Sequence, residues 1–274
     1  MKLKILFMCF MFHGLFVLPL YSETSVSSSF NWSSGLFEIV ISRDLGKGLS
    51  PSDHPKALIA LEEDMPGYTV KELGKLQWDR NDSIQSLADK NPYYRKIIEK
   101  MALALNLKWS RLSEDHKKIE VKYSGNLKEL IPEFFPENTA GDLPHRPLEW
   151  VAEPQDGWSG IVIYVPEGLP VKGTNVTNNA IPAINARIIN KDMEVLFDPA
   201  IKHNWLSYYG LKDTDGINST AGGRPMQIMA RELYGIFPCD IVISNEDSKR
   251  ILASDSGIKA IATGKVAVLF DKLP

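Results

Sequence analysis

The chain has 274 residues, of which 44% are hydrophobic and 24% charged, with a formal net charge of −3. That length can bury one sizeable core or two small ones. A mildly acidic chain without a Lys/Arg cluster lacks the electrostatic footprint of a nucleic-acid-binding protein and the polybasic segment that holds a protein to anionic lipid.

Lys2 and Lys4 precede an apolar run from Ile5 to Leu20, and Ser22 offers a small residue before Glu23. This is the grammar of an export signal, expected to span 1–22 and to be cleaved, with an uncleaved anchor as the alternative. Cys9 follows Phe7 and Met8 near the start of that run, so it does not occupy a lipidation position. Cleavage leaves Cys239 as the one cysteine of the mature chain, and its neighbours Ile236, Phe237 and Ile241 predict a buried, inert thiol.

Ser25 to Ser34 is Ser-rich and reads as a loose leader, followed by a strand from Leu36 to Ile41. A helix is expected from Pro55 to Glu63, stopped at Met65-Pro66-Gly67. Thr69 with Glu72 then forms a capping box for a second short helix through Leu76. Asn91-Pro92 starts the strongest helix, with Tyr94, Ile97, Ile98, Met101, Leu105 and Trp109 on one face. Ile119, Val121 and Tyr123 alternate as a strand. Pro132, Pro136, Pro144, Pro147 and Pro154 then punctuate a segment that reads as a crossing between two halves, with the boundary near residue 150.

The second half opens on a buried strand from Gly160 to Val165. Gly168 to Asn179 reads as an exposed loop, and Ala183 to Phe197 as two strands joined at Asn190-Lys-Asp-Met193. Met226 to Leu233 fits either a strand or a short helix. Asp240 to Ser244 is a strand, Ser244 caps a helix with Gly257 beyond its end, and Val266, Val268 and Phe270 share one face of a closing strand. The fold class is therefore α+β, with helices packed on short mixed or antiparallel sheets in two small domains, 23–150 and 151–274.

Familiar catalytic and ligand patterns fail on their own terms. Gly157-Trp-Ser159-Gly160 departs from a nucleophile elbow because Ile161 stands where a glycine is needed. His54, His116, His145 and His203 show no i, i+4 pair for zinc. Asp213, Asp215 and Asn218 suggest calcium, but Arg224 sits where a bidentate Glu is required. Gly222-Gly223-Arg224-Pro225 is no phosphate loop, and Asp79 and Asp82 read as turn and cap residues. No catalytic, cofactor-binding or metal-binding residue is assigned, and no cofactor.

Trp32-Ser-Ser-Gly35, Asp82-Ser83-Ile84, Ser159 to Ile163, Pro182 to Ile184, Arg187 to Ile189, Glu194-Val195 and Asp240 to Asp247 follow one another in an order that resembles the FlgP-like group of bacterial envelope lipoproteins and their periplasmic relatives. The resemblance implies a non-enzymatic exported protein with a structural or assembly role, in the periplasm or at the inner face of the outer membrane. It also implies envelope partners, the flagellar motor among them, and a homo-oligomer. This sequence lacks the lipidation cysteine of that group, and its 168–179 connection is longer. The alternative is an exported hydrolase or a small-ligand or calcium-binding protein, with a site around residues 203–224 that draws on His203, Asp213, Asp215 and Arg224.

Overall fold

The structure is a computed structural model that describes residues 24–45, 54–135, 157–202 and 205–273. The expected signal segment 1–22, the domain boundary near 150, His145 and His203 lie outside the described residues.

The amino-terminal half is one antiparallel sheet covered on one face by helices. Its strands are β1 (Thr24–Phe30), β2 (Leu36–Asp44), β3 (Asn106–Leu112) and β4 (Lys118–Asn126), in the order β1-β2-β4-β3. Phe37, Ile39 and Ile41 of β2 and Ile119, Val121 and Tyr123 of β4 point into the core. Glu38–Lys122 and Asp44–Lys118 ion pairs occupy the opposite face. The period-2 alternation thus separates a helix-covered face from a charged one.

Three helices lie on that sheet: α1 (His54–Gly74), α2 (Ile84–Lys90) and α3 (Pro92–Leu103). Ser83 caps α2 by accepting from the Ser86 amide, and Asn91 caps α3 through the Tyr93 amide. Two expectations are corrected here. The helices expected on either side of Pro66 are one helix, because Leu61, Met65, Thr69 and Leu73 form a continuous buried stripe. Pro66 lies off that stripe, and the carbonyl it leaves unpaired belongs to exposed Glu62, within reach of water. Thr69 is fully buried against Met65 Sδ, and Glu72 binds Ser28 Oγ and Lys75 Nζ, so neither acts as a cap. The second correction concerns Leu105 and Trp109, because α3 ends at Leu103: Leu105 lies past the helix and Trp109 on β3.

The Ser-rich stretch read as a loose leader is β1, paired with β2 in unbroken register from Thr24↔Arg43 to Phe30↔Phe37. Alternate residues Val26 and Phe30 pack on the core, which compensates for the weak strand preference of serine.

The carboxyl half holds an all-parallel sheet of β5 (Ile161–Val165), β10 (Ser207–Gly210), β11 (Met226–Met229) and β14 (Val266–Phe270), in the order β10-β14-β5-β11. That sheet departs from the expected mixed or antiparallel pairing. A second, mixed sheet runs β12 (Glu232–Tyr234), β13 (Asp240–Ile243), β8 (Ile188–Asn190) and β9 (Val195–Phe197). Residues 168–179, expected as a loop, contain the short hairpin β6 (Leu169–Pro170) and β7 (Thr177–Asn178).

After the one-turn helix α4 (Pro199–Lys202), helix α5 (Thr214–Ala221) packs on Val162, Tyr209 and Ala267 of the parallel sheet. Ser244 caps α6 (Asn245–Ala253) as expected, accepting from the Asp247 amide. Gly257 lies inside a further helix, α7 (Asp255–Ala262), rather than beyond the end of one. Ser254 ends α6 and caps α7.

The described residues therefore form two small α+β units. They share one contiguous apolar cluster, in which Phe37, Ile98 and Val121 of the first half belong with Ile163, Tyr208 and Val268 of the second.

Candidate functional site

Of the residues that could have formed a site around 203–224, the described ones, Asp213 and Asp215 on one side and Arg224 on the other, are not brought together. Asp213 caps α5 by accepting from the Gly216 amide at 3.1 Å, and Asp215 is exposed in its first turn. Arg224 lies beyond the other end of the helix, its guanidinium 5.6 Å from the Trp158 ring centroid. Eight residues of helix between them rise about 12 Å. The described residues contain no group of three or more His, Cys, Asp or Glu side chains placed to hold a metal.

Ser159 is held by structure rather than poised for attack. Its hydroxyl donates to the Ala221 carbonyl at 2.6 Å and accepts the Arg224 amide at 3.0 Å, closing the carboxyl end of α5 onto β5. His116 is exposed in the turn between β3 and β4. Asp79 accepts the amides of Asn81 and Asp82, and Asp82 binds Ser86 and Lys90, so both carboxylates serve a turn and the helix after it. Cys239 is buried, and burial pushes its thiol pKa well up, as the apolar neighbours predicted.

A cleft in the second half gathers polar groups. At the carboxyl ends of β5 and β14, Val165, Pro166, Ala180 and Phe270 wall a cavity of about 200 Å³ rimmed by Glu167, Asn179, Asp271 and Lys272. Tyr164 donates its hydroxyl to Asp271 Oδ1 at 2.7 Å, and the Glu167 amide donates to Oδ2 at 3.3 Å. The bond to Asp271 raises the Tyr164 pKa, because the phenol is the donor and its ionisation would set two negative charges together. Crevices outside the carboxyl ends of parallel strands are where open α/β sheets bind ligands. Periodicity reveals β5 and β14, but not that their ends meet, which is why the cleft was missed.

The junction of the two halves carries a network of polar bonds. Asp240, fully buried at the start of β13, accepts Arg187 Nε and Nη2 at 3.2 and 2.9 Å, and Arg80 Nη1 at 3.2 Å from the other half. Backbone bonds flank it, from Ile184 to Gln77 O, Asn185 to Trp78 O and Phe237 to Arg80 O. Some distance away Trp205 Nε1 donates to the Trp32 carbonyl at 3.1 Å.

The outer edges of the antiparallel sheet differ in kind. Edge strand β3 carries Lys108 and Arg111 and is broken by a bulge between Leu107 and Trp109. The β1 edge has no charge, no proline and no register shift over its seven residues.

These features define a two-unit α+β protein whose halves are joined by a packed and ion-paired seam. Residues 23–133 match the family model described as the Treponema pallidum Tp0624 N-terminal domain, and residues 160–272 match that described as its second domain. The chain is thus similar to two consecutive domains of that protein, and neither description names an activity, a ligand or a flagellar or lipoprotein role. No curated protein matches the chain.

Proposed function

We propose that this chain is a non-enzymatic exported protein of the bacterial envelope with a structural or assembly role, in the periplasm or at the outer membrane. Association with the flagellar motor is the narrower form of that reading and rests on the FlgP-like order of motifs. The observation that carries the proposal is the seam between the halves. Two-domain ligand-binding proteins and enzymes commonly place their sites between domains. Here the described part of that space holds shared core and the Arg80–Asp240–Arg187 bridge. Such a body presents its outer edges and faces to partners and does not close on a substrate. No helix among the described residues is long and apolar enough to cross a membrane.

Crosslinking of the protein in intact cells, followed by capture and cell fractionation, tests the reading. Recovery of envelope components from the periplasmic or outer-membrane fraction supports it, and recovery of motor components supports its narrower form. Residence in the cytoplasm would overturn both.

The cleft at the carboxyl ends of β5 and β14 favours a second reading, a small-ligand-binding protein. Glu167 and Asp271 outnumber Lys272 at its rim, so small organic cations are the ligands to try, by thermal shift on the full chain. A shift abolished by Asp271→Asn supports this reading, and no shift with any of them counts against it.

A further inference from the structure

The cleft at the carboxyl ends of β5 and β14 presents both signs of charge to one small volume. Two bonds build its acidic part. Tyr164 donates to Asp271 Oδ1 at 2.7 Å and the Glu167 amide to Oδ2 at 3.3 Å, which ties the turn after β5 to the residue that follows β14. The Glu167 carboxylate reaches the same spot, since its charge and that of Asp271 both raise the Tyr164 pKa. Each Asp271 oxygen has accepted one bond and keeps capacity for another. Among the described residues neither carboxylate has an ion-pair partner.

The rest of the rim supplies donors. The Gly168 amide donates to Asn179 Oδ1 at 2.9 Å. A backbone N–H can only donate, so the atom it meets must be the side-chain carbonyl, which leaves both protons of the Asn179 NH2 for another acceptor. Lys272 is exposed on the same rim, and among the described residues its ammonium has no ion pair either. Val165, Pro166, Ala180 and Phe270 form apolar walls between these groups. The volume, about 200 Å³, falls below the ~300–1,000 Å³ of pockets that hold drug-sized molecules, which limits the ligand to the size of one amino acid. Two carboxylates and one ammonium are complemented by two cationic groups and one carboxylate, joined by a short apolar chain.

We propose that this cleft binds a basic α-amino acid of the lysine or ornithine type. Its two ammonium groups meet Glu167 and Asp271, its carboxylate meets Lys272 and the Asn179 amide, and its methylene chain lies on the apolar walls. The inference rests on the small-ligand reading above and narrows it. An amine without a carboxylate leaves Lys272 unanswered, and a neutral amino acid leaves one of the two acidic groups so.

Isothermal titration of the full chain tests the assignment with three probes: lysine, cadaverine, which lacks only the carboxylate, and norleucine, which lacks only the side-chain ammonium. Lysine is expected to bind about tenfold more tightly than either, the worth of one charge-assisted hydrogen bond at a half-open site. Lys272→Met is expected to bring lysine down to the affinity of cadaverine and to leave cadaverine bound at least as well as before. Glu167→Gln keeps the shape of an exposed side chain and is expected to weaken lysine and cadaverine alike, by about tenfold. Circular dichroism reports the folding of each variant.

Cadaverine binding as tightly as lysine, or a preference for lysine that survives Lys272→Met, would overturn the inference and leave the cation reading in place. Norleucine matching lysine would also overturn it, because the second ammonium would then go unread. Absence of binding by all three probes would remove this inference and the small-ligand reading together. The envelope proposal is read separately, by cell fractionation.

Discussion

Arg80 and Asp240 stand 160 residues apart in sequence and 3.2 Å apart in space, and among the described residues theirs is the ion pair that crosses from the helical layer of the first half to the mixed sheet of the second. Arg187 completes the bridge from the same side as Asp240. Asp240→Asn removes the charge that both guanidinium groups meet. It is expected to cost roughly 3–5 kcal/mol in denaturant unfolding, the loss typical of breaking a buried pair. Arg80→Ala is expected to cost less, about 1–2 kcal/mol, because Arg187 still satisfies the carboxylate and the Arg80 side chain is 29% exposed. Equal losses for the two variants would show that the seam depends on the crossing bond itself.

Close backbone approach gives a second prediction at Gly160. A Cβ there would lie 2.6 Å from the Ala221 carbonyl oxygen and 2.8 Å from that of Lys265, both main-chain atoms that cannot swing aside. Gly160→Ala is expected to destabilise the protein by roughly 1–3 kcal/mol by pushing the end of α5 off the parallel sheet. Thermal unfolding measures the cost, and an unchanged midpoint would contradict the packing of α5 on β5.

Tyr123 carries a buried hydroxyl with no hydrogen-bond partner among the described residues, and burial, with the nearby Glu62 carboxylate, pushes its pKa up to about 12. The folded state thus holds the neutral phenol more tightly than the unfolded chain, whose value is near 10. The associated stability is complete below pH 10 and is lost as pH rises towards 12. Tyr123→Phe is expected to be neutral or stabilising by up to about 1 kcal/mol near neutral pH, since it removes an unpaired polar group. It should also flatten the decline of stability between pH 10 and 12 relative to wild type. Parallel curves for the two proteins across that window would refute the assignment.

The carboxyl-end cleft yields a spectroscopic prediction. Tyr164 donates to Asp271, and that bond raises the pH at which the phenol ionises. Asp271→Asn is expected to return Tyr164 towards the ordinary tyrosine range, read as an earlier phenolate step in an ultraviolet pH titration. Tyr164→Phe identifies the step that belongs to this residue. No movement of the step would mean that Asp271 does not hold the hydroxyl in solution.

Local chemistry was enough to read several elements from the sequence. The apolar run of β5, the alternation in β2 and β4, and the Ser244 and Asn91 caps each depend on neighbours within a few residues. The burial of Cys239 was legible for the same reason. Site reasoning from sequence brought Asp213, Asp215 and Arg224 together because they are close along the chain, whereas α5 separates them. The Tyr164–Asp271 cleft escaped notice because its two residues stand 107 positions apart in sequence.

What the sequence by itself determined was the α+β class and the placement of the strongly patterned elements, since side-chain period and capping act over a few residues. Tertiary structure decided the rest. Ser25 to Ser29 has no strand preference of its own, and it is a strand because β2 supplies a partner in register. Pro66 stays inside α1 because one buried stripe on both sides of it outweighs a lost backbone bond at the surface. Asp240 can be buried because Arg80 and Arg187 arrive beside it from distant parts of the chain. In each case the stabilising contact comes from residues that local pattern cannot bring together, because burial and long-range pairing exist only once the chain has closed on itself.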